Sequence, residues 1–285
     1  MSALLWLKVI LVIAFVTWLF SAAGYFIFGI PGLIGAQVLS VAVHSWMYLY
    51  GDELVLRWYR ARILPRRDYA SIYEIAERLA SHAGIPTPDL ALIPTGTPDV
   101  FSTGGNQKRS VIVLTHGILH TLEPDELEAV MSHEIAHILS GETPIQTLAV
   151  VMAGSVVGFS YWLDALIHPS DSVGRGAGDY RGSLMLTAPI AAGILHFVLG
   201  RELEYRADAM AAEISGRPLS LASAILKMER AISFRPMKCG NLAAAPLFIV
   251  NPYRGEFADL VSTHPRTEKR VERLMKLAEE TGAYS

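Results

Sequence analysis

Residues 133–137 read His-Glu-Ile-Ala-His, within a stretch from Pro124 to Leu139 whose apolar residues recur at helical spacing. On a helix, positions i and i+4 share a face, so both imidazoles can reach one point in space. That is most of a zinc site. Zinc takes imidazole nitrogen at ~2.0–2.1 Å and, where it is catalytic, keeps one position for water. Glu134 is placed to accept a proton from that water, whose pKa zinc lowers to ~7. Pro124 suits the first helical position, Asp125 and Glu126 suit the positive helix end, and Gly141 closes the segment. The bland alternative is a helix whose histidines only hydrogen-bond.

Around this helix the chain is unusually apolar. Of 285 residues 52% are hydrophobic and 18% charged, with mean hydropathy +0.34. This excludes a disordered chain and is too apolar for an ordinary soluble enzyme. A net charge of −3 offers no basic field for nucleic acid. The single cysteine, Cys239, excludes an intramolecular disulfide and a thiolate-rich metal site.

Val9–Gly51 contains no charged residue, and Gly29-Ile30-Pro31-Gly32 supplies a turn within it. A span needs ~20 apolar residues, so the stretch holds two. A cleaved signal peptide is the rival for the first, but a second apolar run follows with no polar start. Thr143–Leu163 and Gly182–Gly200 are also uncharged and read as a third and fourth span, with Pro189 as a kink. Buried core helices, or a hairpin dipping partly into lipid, are the alternative. Arg57, Arg60, Arg62, Arg66 and Arg67 follow the second span, whereas the Gly29–Gly32 turn has no basic residue and the later loop has Arg175 and Arg181 beside Asp164, Asp171 and Asp179. The positive-inside rule then puts both termini and the central segment in the cytoplasm.

The expected organisation is therefore two spans in 1–51, a first soluble part in 52–142, two spans in 143–200 and a second soluble part in 201–285. In the first part, Ser71-Ile72-Tyr73-Glu74 has a capping-box pattern opening a helix that ends at Gly84 and Pro86. Leu90–Ile93, Val100–Thr103 and Ser110–Leu114 are strand candidates. In the second, Arg201–Ser215 and Leu219–Ile232 read as helices, Phe234–Ser262 as irregular, and Pro265–Glu280 as a closing helix.

A third metal ligand must return to the same side of the membrane. Arg201-Glu-Leu-Glu204-Tyr-Arg-Ala-Asp208 follows the last apolar run, with Glu204 and Asp208 on one helical face and Arg201 three residues before Glu204. Glu204 as ligand, with Asp208 orienting a ligand histidine from behind, makes a sound arrangement. Alone, this segment would read as a solvated face.

His133–His137, Arg201-x-x-Glu204-Tyr-x-Ala-Asp208 and Ser262-Thr-His264-Pro265-x-Thr-Glu268-x-Arg270 together resemble the three signature blocks of the HtpX-like membrane zinc metalloproteases, relatives of the CAAX prenyl endoproteases. The resemblance spans nearly the whole chain. It implies an α-rich, multi-pass protein of the cell (inner) membrane with a cytoplasmic, zincin-like α+β catalytic domain of gluzincin type. It implies one zinc ion on His133, His137 and Glu204, with Glu134 as base. Asp208 and Arg201 would support the ligands, and His264 would stabilise the oxyanion. Substrates would be misfolded or damaged membrane proteins and unfolded polypeptides. A small sheet would present an edge strand for the peptide backbone, for which Ser110, Val111, Ile112, Val113 and Leu114 are the candidates. This chain departs from the family at Asp99-Val100, where an Asn-Ala pair is common.

A narrow-specificity prenyl-protein endoprotease would share every catalytic residue, and a non-catalytic membrane adaptor with a structural metal is the other alternative. His116 and His120 read as surface or loop residues, His44 and His196 as polar residues within apolar runs, and Cys239 as inert.

Overall fold

A computed structural model describes residues 2–167 and 183–283. The loop residues Asp171, Arg175, Asp179 and Arg181 lie outside them. Helix α1 (Ser2–Trp58) folds back on itself at Gly29, whose φ of 65° is open to glycine. The hydroxyls of Thr17 and Ser40, 2.7 Å apart, tie the two legs. Gly24 and Gly32 let the legs touch: a Cβ on Gly24 would stand 2.4 Å from the Gly32 carbonyl oxygen. Phe15, Trp18, Phe26 and Phe28 project outward from this hairpin, an apolar surface that water would not tolerate.

The soluble core begins with β1 (Arg62–Ile63), α2 (Ala70–Ala83), β2 (Asp89–Ile93), β3 (Val100–Asn106) and β4 (Arg109–Thr115). Helix α2 starts one residue before Ser71, with Tyr69 as cap and no side-chain cap, so the capping box expected there does not form. The reciprocal box stands instead at α4 (Pro124–Leu139), between Glu123 and Glu126, where Pro124 occupies the first turn as expected. The short α3 (Ile118–Thr121) leads into α4.

The strands order as β1-β2-β4-β3, with β2–β4 parallel and the other pairs antiparallel. Side chains alternate across a strand, and here the two faces bury different things. Leu90, Val100, Ile112 and Leu114 face α2, α4 and the later soluble helices. Ala91, Ile93, Phe101 and Val113 join the core built from α1 and the apolar helices α5 (Thr143–Ile167) and α6 (Leu184–Val198). The sheet is thus the partition between the apolar helices α1, α5 and α6 and the helices packed on its other face.

By length and composition two helices, α1 and α5, could cross a membrane, or three if α6 and α7 (Arg201–Ser215), which meet at 50°, act as one span. At ~1.5 Å per residue the 15-residue α6 is about 22 Å long, short of the ~30 Å hydrocarbon core. Pro189 lies inside it. Helix α8 (Pro218–Phe234), a 3-10 turn (Leu242–Leu247), α9 (Glu256–Val261) and α10 (Thr267–Thr281) complete the fold. The turn and α9 lie in the stretch expected to be irregular.

Candidate active site

Helix α4 is buried along most of its length, including Ser132, His133, Glu134 and His137. Helix α7 packs across it, and the Ser132 hydroxyl donates to the Ala211 carbonyl at 3.2 Å. This crossing brings Glu204 to the histidines although the apolar helices α5 and α6 intervene in sequence.

The Nε2 atoms of His133 and His137 lie 3.2 Å apart. Glu204 Oε2 is 3.6 Å from His133 Nε2, and Oε1 is 3.7 Å from His137 Nε2. Two nitrogens bonded tetrahedrally to one zinc at ~2.0–2.1 Å would be about 3.3 Å apart. Glu204 Oε2 is buried with no hydrogen-bond partner among the described residues. The nearest cation, Arg270 Nη1 at 3.4 Å, makes no hydrogen bond to it, so this buried oxygen is left for a metal ion to complete. The donor set and the spacing fit a divalent metal ion.

Behind the ligands stand two carboxylates and a guanidinium. Asp208 Oδ1 lies 3.0 Å from His133 Nδ1. Arg270, 2% exposed, holds Asp208 through Nε and Nη2 at 2.8 and 2.7 Å, and its Nη1 donates to the Ile249 carbonyl at 2.6 Å. The same Nη1 is 3.4 Å from Glu204 Oε2. Glu142 Oε2 lies 3.0 Å from His137 Nδ1, and Arg206 approaches its other oxygen at 3.5 Å. Each ligand histidine therefore has its own acid, which fixes the ring so that Nε2 faces the centre.

Two expectations are corrected here. Arg201 is exposed on the first turn of α7, and the guanidinium behind Asp208 is that of Arg270. Three residues before Glu204 is nearly one turn away, but Arg201 sits at the helix start, where its side chain reaches water. Ser110–Leu114 lies in β4, an interior strand paired with β2 on one side and β3 on the other, so its main chain cannot receive a peptide. Sequence patterning marks strands, not their order in a sheet. Glu142 was visible only as the charge ending an uncharged run.

The edge on this side is β3. Phe248 forms a bridge to Phe101, Ile249 N donates to the Val100 carbonyl at 3.2 Å, and Gly104 N donates to Thr147 Oγ1 at 3.3 Å. Outward-facing backbone groups alternate along a strand, and here Phe248–Ile249 and Thr147 cover those of Val100 and Gly104, with Ser102 between them 2% exposed.

Burial is the largest influence on Glu134 and Glu204. It pushes the Glu134 carboxyl up, and the two histidines only partly offset it. Neither Glu134 oxygen has a hydrogen-bond partner among the described residues. Burial opposes ionisation of Glu204 too, but His133, His264 and Arg270 outweigh it and hold that carboxyl well below its usual range. His133 is pushed up to about 9: burial opposes its charge, and Asp208 and then Glu204 overcome that. His264 reaches the same cluster, with Nδ1 3.7 Å from Glu204 Oε2 and Nε2 3.0 Å from the Ala245 carbonyl. A carbonyl only accepts, so Nε2 carries the proton.

A ligand triangle of two histidines and a carboxylate beside an unpartnered glutamate, on helices joined to membrane-type segments, defines the class as a membrane metalloprotease. Comparison with known proteins agrees. The model of peptidase family M48 matches residues 66–278. The chain is 44% identical over 285 residues to a protease HtpX homolog of Thermococcus sibiricus and 43% identical over 284 to one of Pyrococcus furiosus, covering 98% of each chain in both cases. It is 38% identical over 253 residues to one of Methanocaldococcus jannaschii, covering 87% of this chain and 89% of that one. A crystal structure of S. mikatae Ste24p superposes with TM-score 0.48 at 16% identity, over 96% of this chain and 65% of that one. The chain belongs to peptidase family M48 and is a metalloendopeptidase of its HtpX branch. The adaptor alternative falls with that assignment.

Proposed function

We propose that this chain cleaves misfolded or damaged membrane proteins and unfolded polypeptides at a zinc centre held by His133, His137 and Glu204, facing the cytoplasm. The supporting observation is the pairing of that triangle with Glu134, a buried base beside Ser102 whose oxygens make no close hydrogen bond among the described residues. Bound zinc would supply Lewis acidity, polarising the scissile carbonyl and bringing the pKa of a water to ~7. Glu134 takes the proton of the attacking water and passes it to the leaving amine. Asp208 and Glu142 hold the ligand rings, and Arg270 fixes Asp208. His264, whose Nδ1 lies 3.7 Å from Glu204 Oε2, stands where it can stabilise the oxyanion.

Four segments enter the bilayer: the two legs of α1, then α5 and α6. The meeting of α4 and α7 at one site supports an even number of crossings by α5 and α6.

The test is Glu134→Gln in the full chain, in detergent. It retains zinc by metal analysis and loses cleavage of casein; cleavage at the wild-type rate would overturn the mechanism.

A further inference from the structure

A second histidine pair reproduces the geometry of the first. His116 and His120 are both exposed, with Nε2 atoms 3.3 Å apart and ring centroids separated by 4.6 Å. The ligand pair His133 and His137 has 3.2 Å and 4.8 Å. Nitrogens 3.3 Å apart and bonded at ~2.0–2.1 Å subtend roughly 107° at a metal, the tetrahedral value zinc favours. A square-planar ion would draw them closer, to about 2.9 Å at the same bond length.

The backbone beneath this pair is fixed. His116 N donates to the Ile93 carbonyl at 2.9 Å and Gly117 N to the Thr95 carbonyl at 2.9 Å. The Thr115 hydroxyl, fully buried, accepts from Ile118 N at 3.2 Å. His120 N donates to the Gly117 carbonyl at 3.2 Å. Gly117 packs so closely on Gly96 that a Cβ there would stand 2.4 Å from its carbonyl oxygen. Both imidazoles thus project into water from a frame tied to the end of β2. A chelate of this kind loses little conformational entropy on binding.

We propose that His116 and His120 form a second, peripheral site for a divalent transition metal of zinc type, completed by water. The ion bridges the end of β4 to the first turn of α3, so it also clips the connection that leads into the active-site helix. The proposal does not depend on which reaction the central site performs.

The test counts zinc. Full-length protein in detergent is titrated with Zn2+ alone by calorimetry, and metal per chain is measured after desalting at saturating zinc. Wild type should take up one more zinc than either His116→Ala or His120→Ala. Both variants should keep the wild-type circular dichroism and casein cleavage, since the two rings are exposed and stand apart from the ligand cluster. With Co2+ as probe, the extra equivalent should give a tetrahedral visible spectrum that both variants lack. An equal count in wild type and either variant would overturn the proposal.

Discussion

His264 is committed through Nε2–H to the Ala245 carbonyl, which leaves Nδ1 as the atom nearest Glu204. If it donates to the oxyanion, His264→Ala should lower kcat by about 10²–10³-fold, the loss typical of one such donor, with KM little changed. Steady-state kinetics on a peptide substrate measures it, and a change confined to KM would reassign His264 to substrate binding. Asp99 permits a second test. It is fully buried, and burial, then Glu134's charge among the lesser influences, pushes its carboxyl well above the usual range despite backbone donors. The unfolded chain loses this proton near pH 4 while the folded chain retains it, so the folded state binds more protons above that pH. Stability then falls as pH rises, by at most about 1.4 kcal/mol per unit. Asp99→Asn should flatten that slope and melt higher than wild type at neutral pH. Melting curves from pH 5 to 8 decide it, and parallel curves for the two proteins would refute it. At this scale the sequence was informative wherever chemistry repeats at a fixed spacing. His133, Glu134, His137, Glu204 and Asp208 stood out because one helical turn aligns them. Glu142 and Arg270 reach the site across a loop and from a distant helix, and no period marks such contacts.

Among elements, the junction between the membrane hairpin and the sheet is made by rings. Tyr59, just past α1, packs between Phe101 of β3 and Phe248, with centroids 5.6 and 5.4 Å away, and those two lie 4.7 Å apart. Its hydroxyl donates to the Asn241 carbonyl at 3.2 Å and lies 2.8 Å from the Tyr253 hydroxyl. Phe248 is followed by Ile249, whose carbonyl holds Arg270. Tyr59→Phe keeps the rings and removes one buried hydroxyl, so it should cost about 1–3 kcal/mol, read as a lower melting temperature with zinc content unchanged. An unchanged melting temperature would show that the hydroxyl contributes nothing at this junction. Helix positions were legible to within a few residues because apolar periodicity and Gly or Pro stops are local. Strand order was not, because pairing joins β2 to β4 across β3, and the expected edge strand proved interior.

For the molecule as a whole, the positive-inside expectation can be examined without engineering. Cys239, the one cysteine, is exposed and lies between α8 and the 3-10 turn, on the side of the active site. Partial burial pushes its thiol up, so labelling is best run above neutral pH. A membrane-impermeant maleimide should label it in inside-out vesicles and leave it untouched in sealed right-side-out cells. The reverse pattern would turn the active site outward. The order of the ligands along the chain has one further outcome. His133 and His137 emerge from the ribosome long before Glu204, with the apolar helices α5 and α6 made in between. A half-made chain therefore carries an unfinished blade. With the proposed ligand set, the blade closes only when α7 brings Glu204 onto α4.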